Sequence, residues 1–516
     1  MKKLLMLAGF LLASLAALPA ADLKLAAVFG DHLVLQRDKP VPVWGWADPG
    51  EKITVEFAGQ AKTATADAAG KWMVKLGPLA ASAEPRPLTV QSEKPGRKIE
   101  LSDVLVGEVW LGSGQSNMAM GVSRAKDFEA EKAAANLPLL RMFREESASS
   151  PAPQPEAKGK WAVCSPETVG AFSATLYFFG RELHRELKVP VGLINSSVGG
   201  TPIESWIAAE AQASSPELKA ATEAAAKAEA AFDEAAAKAN YEKALARWKE
   251  QAAKAKAAGQ PAPRKPLDPL ATRARKGGGG GLFNGKIAPL IPYAIRGVVW
   301  YQGEANSQPG KGPFYQYQLP LLVNDWRARW GEELPFAWVQ LPNFARPGEG
   351  WMLVREAMLK TLRLPRTGMA ITVDIGDAKD IHPKNKQDVG KRLALWALGE
   401  VYGQKVASTS GPLPAGHEAR GSEMVVSFKH ADGGLQAKGG ELKGFAVAGE
   451  DRQWKPATAR IEGNQVIVAS PDVKKPIALR YAWEPDPQCN LFNGAGLPAS
   501  PFRTDDWPET PAATGK

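Results

Sequence analysis

The sequence predicts an α/β fold in which a parallel sheet is covered by helices on both faces and flanked by β-rich segments. Three observations lead there. Five near-continuous apolar runs recur through the middle of the chain: "DVLVGEVWLG", "VPVGLINSS", "IRGVVWYQG", "LPFAWVQLP" and "GMAITVDIG". Strands buried on both faces lose the apolar/polar alternation of half-exposed strands, so such runs belong to a parallel sheet. Segments with helical character, such as "LYFFGRELHREL" and "KQDVGKRLALWAL", fall among and after them, as crossover connections require. The two ends of the chain instead read as short strands punctuated by turns.

In chain order, residues 1–21 carry Lys2 and Lys3, an apolar run and then small residues at Ala20 and Ala21. That is the layout of a secretory signal peptide, and the run is short for a bilayer span. A soluble, periplasmic or secreted mature protein with no membrane span is expected. Residues 22–102 predict an N-terminal β-sandwich domain, because "KITVEF" sends Ile53, Val55 and Phe57 to one side and "KWMVKL" does the same with Trp72, Val74 and Leu76. The α/β domain is expected over 103–402. It is interrupted at 208–259 by an Ala/Lys/Glu-rich stretch in which Tyr241, Leu245 and Trp248 stand at i, i+4 and i+7. A helix or helical hairpin with a thin apolar stripe follows, packed on its own domain or offered to a partner. Residues 403–516 return to short β runs, "EMVVSF", "NQVIVA" and "ALRYAW" among them, and predict a C-terminal β-rich region.

Composition removes several functions. The formal charge of +9 comes from 64 Lys and Arg against 55 Asp and Glu. The basic residues are spread out instead of clustering with aromatics, which argues against nucleic acid binding. Two cysteines, Cys164 and Cys489, allow one bridge or two free thiols. No Cys/His spacing suggests zinc, and neither a metal nor another cofactor is expected. "KGGGGG" lacks the terminal Lys-Ser/Thr of a phosphate-binding loop and follows no strand.

Sites on open parallel sheets form where loops leave the carboxyl ends of the strands. The first strand ends in "GSGQSNM", whose glycines permit a tight turn that presents Ser116 and backbone N–H groups for an oxyanion. The second ends in "NSSVGGTPIESW", where Gly199 and Gly200 offer another N–H. The third ends in "YQGEANS", with the amide of Gln302 and the carboxylate of Glu304. The fifth ends in "DIGDAKDIHPKN", with His382. Five histidines exist, and the other four, His32, His184, His417 and His430, lie in β regions or inside a helix. Pro383 holds His382 extended, so Asp380 two positions earlier faces the same side. Ser116, His382 and Asp380 are thus candidates for nucleophile, general base and orienting acid. Trp206 and Tyr301 could stack on a sugar or pack the core. The motif is not a G-x-S-x-G elbow, because Met118 replaces the second glycine.

The strings "GEVWLGSGQSNMAM", "VPVGLINSSVGGTPIESW", "GVVWYQGEAN" and "DIHPKNKQDVGKRLAL" resemble the sialate O-acetylesterase family of SGNH-type hydrolases. So do "DHLVLQRDKPVPVWGWADPGEKITVEF" near the start and "CNLFNGAGLPASPFRTDDW" near the end, so the likeness spans nearly the whole chain after the leader. The resemblance implies a flavodoxin-like, three-layer α/β/α hydrolase domain flanked by β domains. It also implies metal-independent removal of O-acetyl groups from a sugar or polysaccharide such as xylan. Carried over, Ser116 matches the nucleophile and His382 the base. The Ser116 N–H, Gly200 and Gln302 match the oxyanion donors. In related acetylxylan esterases the glutamate of "QGE" is a candidate helper acid, which keeps Glu304 beside Asp380. The chain departs from the SGNH pattern at Lys379, where an Asp three residues before the histidine is usual. A lipase or thioesterase would need an apolar channel; a non-catalytic carbohydrate-binding or scaffold protein would need to bind sugar without releasing acetate.

Overall fold

The computed structural model describes residues 22–276 and 278–508, so the expected signal peptide lies outside the described residues. All five apolar runs form strands of one sheet. Val191–Ser197, Lys98–Gly114, Gly297–Tyr301, Phe336–Val339 and Thr367–Ala370 lie side by side in that order, all parallel. In order of appearance this is 2-1-3-4-5. Two further strands extend the sheet beyond Val191–Ser197. Leu137–Glu145 pairs with it in parallel, and Gly159–Cys164 pairs antiparallel at the edge. Neither was expected, because their polar and charged residues, such as Arg141 and Lys160, blur the apolar run that marks the inner strands.

The sheet separates two apolar cores. Val298 and Trp300 face one, with Trp326, Phe336 and Val354. Val299 and Tyr301 face the other, with Leu176, Phe179, Val389 and Leu393. Helices Tyr315–Trp330 and Trp351–Thr361 supply the first core, and Ala174–Leu187 and Lys386–Trp396 the second. The last two are the helices expected from "LYFFGRELHREL" and "KQDVGKRLALWAL". They approach so closely that a Cβ at Gly390 would stand 2.5 Å from Phe178 Cβ. Trp110 sits edge-on to Phe179 with ring centroids 5.1 Å apart. Removing a fully buried aromatic of this kind costs about 3–5 kcal/mol.

Lys98–Gly114 is one unbroken strand of 17 residues that passes through the expected boundary at 102/103. Its first half pairs with Val34–Gln36 and Ser82–Ser92, and its second half is the centre of the parallel sheet. Lys52–Phe57 and Lys71–Leu76 both alternate exposed and buried residues as their sequences require. Beyond residue 403, Leu413–Arg420, Glu423–Lys429, Gln465–Ala469 and Thr458–Glu462 form a four-stranded antiparallel sheet over a separate core that includes Val426, Val447 and Tyr481. This region reaches back toward the sheet edge. Buried Arg355 donates to the carbonyls of Leu341, Pro342, Glu484 and Pro485.

The Ala/Lys/Glu-rich stretch is helical, in two long segments, Pro216–Ala230 and Glu234–Ala257. Tyr241, Leu245 and Trp248 form a half-buried stripe. Trp248 donates its ring N–H to the Pro263 carbonyl at 2.7 Å. Cys164 and Cys489 are both free thiols. Among the described residues no helix is long and apolar enough to cross a membrane.

Candidate active site

Ser116 follows the central strand directly, at the start of a short helix, Ser116–Ala119. The turn that delivers it needs glycine at 114. There φ is +133°, and an added Cβ would lie 2.1 Å from the Tyr301 carbonyl oxygen. The adjacent strand end is pinned by the Gln115 N–H, which donates to that same carbonyl at 2.9 Å.

His382 arrives from the loop after Thr367–Ala370. Asp377 Oδ1 accepts the N–H groups of Lys379 and Asp380, and Asn343 accepts the Gly376 N–H while donating to Asp486. Held this way, His382 Nε2 lies 2.8 Å from Ser116 Oγ. Asp380 Oδ1 accepts the His382 backbone N–H at 2.9 Å and stands 3.7 Å from ring Nδ1. It therefore fixes the histidine's main chain more tightly than its imidazole. Burial pushes the His382 pKa below its ordinary value; Asp380 opposes this, and the nearby positive charges of Arg124 and Lys386 add to it.

Glu304 takes a different place. It is buried and does not hydrogen-bond His382; Oε1 instead accepts from Asn117 Nδ2 at 2.5 Å. The same amide nitrogen donates to the Ile381 carbonyl at 3.0 Å, and Asn117 Oδ1 accepts from Lys386 Nζ at 2.7 Å. One asparagine next to Ser116 thus ties together the "QGE" loop, the residue before His382 and the first turn of the following helix. Glu304 Oε2 is buried with no hydrogen-bond partner. Burial raises the Glu304 pKa, against the pull of Asn117 and Lys386. Burial lowers the Lys386 pKa to about 7, with Glu304 and Asp380 pulling the other way.

The oxyanion candidates are arranged unevenly. Gly200 has φ +71° and open space around its missing Cβ, while Gly199 is the one in contact range, its missing Cβ 3.5 Å from Ser116 Cβ. Gln302 is fully buried. Its Nε2 donates to Asn306 Oδ1 at 2.7 Å and shares its other hydrogen between Thr201 O at 3.2 Å and Gln115 Oε1 at 3.3 Å. Its Oε1 accepts from the Tyr315 hydroxyl at 3.0 Å. Trp206 and Tyr301 are both fully buried, which makes them core residues and rules out stacking on a sugar. Ser196 and Ser197 bond to the Lys286 carbonyl and to Asn195, not to a histidine. Among the described residues no cluster of His, Cys, Asp and Glu could hold a metal ion.

Asn117 and Lys386 are the site residues that sequence reasoning missed. Asn117 was visible only as a neighbour of Ser116, and a lysine reads as solvent-exposed unless paired.

A hydrogen-bonded Ser–His pair at the carboxyl edge of a mixed α/β sheet places the molecule among α/β esterases. The family model described as "Carbohydrate esterase, sialic acid-specific acetylesterase" matches residues 106–259 and 285–398, more than half of the chain. The chain belongs to that family. A carbohydrate acetylesterase of Xanthomonas citri, known as a crystal structure, is 37% identical and superposes with a TM-score of 0.79, covering 94% of this chain and 100% of that one. The sialate O-acetylesterase of Homo sapiens is 28% identical over 528 residues, covering 93% of this chain and 92% of that protein. The mouse sialate O-acetylesterase is 27% identical over 544 residues, with 93% and 94% covered.

Proposed function

We propose that the chain is a serine esterase that removes O-acetyl groups from carbohydrate through an acetyl-enzyme intermediate. The observation that carries this reading is the 2.8 Å contact between Ser116 Oγ and His382 Nε2, and burial, which lowers the His382 pKa, favours its neutral form. Membership of a carbohydrate esterase family makes the chain a carbohydrate O-acetylesterase. The 2-1-3-4-5 strand order with helices on both faces supports a flavodoxin-like, SGNH-type three-layer domain over 103–402, with β domains at 22–102 and 403–516. The leader-like start of the sequence supports export to the periplasm or beyond.

In the proposed reaction Ser116 Oγ attacks the acetyl carbonyl carbon while His382 Nε2 takes its proton. The carbonyl oxygen becomes an oxyanion that meets the Ser116 N–H and the N–H offered by the Gly199–Gly200 turn, with Gly200 the favoured donor. Gln302 can lend the one hydrogen it now shares between two long contacts. The intermediate collapses, the C–O bond to the sugar breaks, and His382 returns the proton to the departing sugar oxygen. Water, deprotonated by the same histidine, then attacks the acetyl group on Ser116 and releases acetate. Asp380 is the orienting acid for His382. Glu304 acts through Asn117, as a positioning residue.

Both O-acetylated sialic acid and an acetylated polysaccharide such as xylan fit this chemistry. Acetate release from each, by the wild type and by Ser116→Ala, tests the reading. Release that vanishes in the variant supports it; release that survives would overturn it, and sugar binding without release from any ester would favour the non-catalytic reading.

A further inference from the structure

A half-open cavity of about 1090 Å³ is lined by the loops that carry the site, although neither Ser116 nor His382 lines it. The two loops that frame Ser116 also form one of its walls. The Gly199–Gly200 loop continues into Pro202 and Glu204, and the "QGEAN" loop continues into Asn306 and Lys311. Asn306 accepts from Gln302 and from the Ile203 N–H, so the wall is hydrogen-bonded to the site itself.

The facing wall is the helical insertion. Leu218, Ala221, Thr222, Ala225 and Ala226 of helix Pro216–Ala230 line the cavity. These are i, i+3, i+4, i+7 and i+8, one face of a helix. The insertion thus turns a face of mostly small side chains toward open space, with Ala225 and Ala226 exposed. Clefts that take drug-sized ligands span roughly 300–1,000 Å³, so this one holds more than a single sugar ring.

Charge selects the ligand. Two acids and two bases line the cavity, Glu204, Glu234, Lys311 and Arg273. Lys311 bonds Glu204 at 2.7 Å, and Arg273 lies 4.1 Å above the Phe232 ring. The lining is balanced, two acids against two bases, so it carries no net positive charge to draw in a carboxylate. Hydroxyl-rich ligands are better served, since Lys311 keeps two more N–H donors and Asn306, Gln318 and the Ser149–Ser150 segment add polar atoms.

We infer that this cavity is a subsite for the unreacted rings of an uncharged, O-acetylated oligosaccharide whose acetylated ring sits at Ser116, and that the helical insertion exists to build it. This rests on the esterase reading and narrows its substrate class to neutral polysaccharide fragments in place of sialic acid.

The test places bulk in the cavity with Ala221→Trp and Ala225→Trp, and outside its lining with Ala224→Trp on the same helix. Steady-state kinetics are read on acetylated xylo-oligosaccharides and on 4-nitrophenyl acetate. The expected result is a roughly tenfold fall in the oligosaccharide-to-small-ester ratio of kcat/KM, carried by KM, for the two cavity variants alone. An unchanged ratio, or O-acetylated sialic acid turned over better than the oligosaccharide and insensitive to the variants, would overturn the subsite. Calorimetry with deacetylated xylo-oligosaccharide separates this from the esterase reading. Binding by the wild type that is lost in Ala225→Trp supports the cavity even if no ester is cleaved, and absence of binding with intact small-ester hydrolysis rejects the cavity alone.

Discussion

Two carboxylates flank the Ser116–His382 pair, and their surroundings differ sharply. The Asp380 side chain is 46% exposed and stands near the imidazole. Glu304 is buried, one asparagine away from Ser116, and shares Asn117 with the fully buried Lys386. A carboxylate in water tunes its neighbour weakly, because solvent screens it. A carboxylate in the interior must be matched by partners, and those partners become part of the scaffold. On the proposed reading Asp380 acts on the histidine, weakly through solvent, and the Glu304–Asn117–Lys386 chain acts on the placement of the loops.

The largest effect removes the group both sides serve. Ser116→Ala is expected to lower kcat by at least about 10⁴-fold, with thermal stability unchanged, since loss of a serine nucleophile costs on that order or more. Next comes the buried chain. Lys386→Met removes the donor to buried Asn117 Oδ1 and the positive charge that opposes the burial of Glu304, and is expected to cost about 1–3 kcal/mol in denaturant unfolding. Asp380→Asn, in the exposed position, is expected to cost less than about 1 kcal/mol. Equal losses from the two would erase the distinction between the carboxylates.

The pH profile sharpens it. The proposed reaction uses neutral His382 as the base, so kcat/KM should fall as pH drops through its pKa. Burial sets that pKa below the ordinary imidazole value of about 6.5. Asp380 raises it, so Asp380→Asn should move the acid limb to still lower pH; a move to higher pH would contradict its assigned role. The smallest effect belongs to the turn. Gly200→Ala places a Cβ at φ +71°, with an expected cost of roughly 1–2 kcal/mol and a lower kcat, because its N–H is the proposed oxyanion donor.

The comparison also shows what a sequence can disclose. Ser116 and His382 were legible because each follows an apolar strand, and strand ends converge on one edge. Asp380 was legible because it lies two residues from His382. Lys386 was not, since the partner of its buried ammonium is Asn117, 269 residues away in the chain, and nothing local distinguishes it from a solvated lysine at the start of a helix. The strands Leu137–Glu145 and Gly159–Cys164 escaped for a related reason. Buried Arg141 is matched by Asp103 and its carbonyl, a tertiary pairing that lets a charge sit in a strand that would otherwise read as too polar. The long strand through residue 102 shows the limit from the other direction: a change of sequence rhythm marked a boundary that the backbone crosses without a break.

The central claim is that the acetyl group passes through Ser116. Rapid acid quenching after mixing the protein with 4-nitrophenyl acetate, followed by peptide mass spectrometry, tests it most directly. The account predicts one added acetyl group on the peptide bearing Ser116, absent from Ser116→Ala. An acetyl group on the Ser196–Ser197 peptide instead, or turnover with no acetylated serine at any quench time, would contradict it.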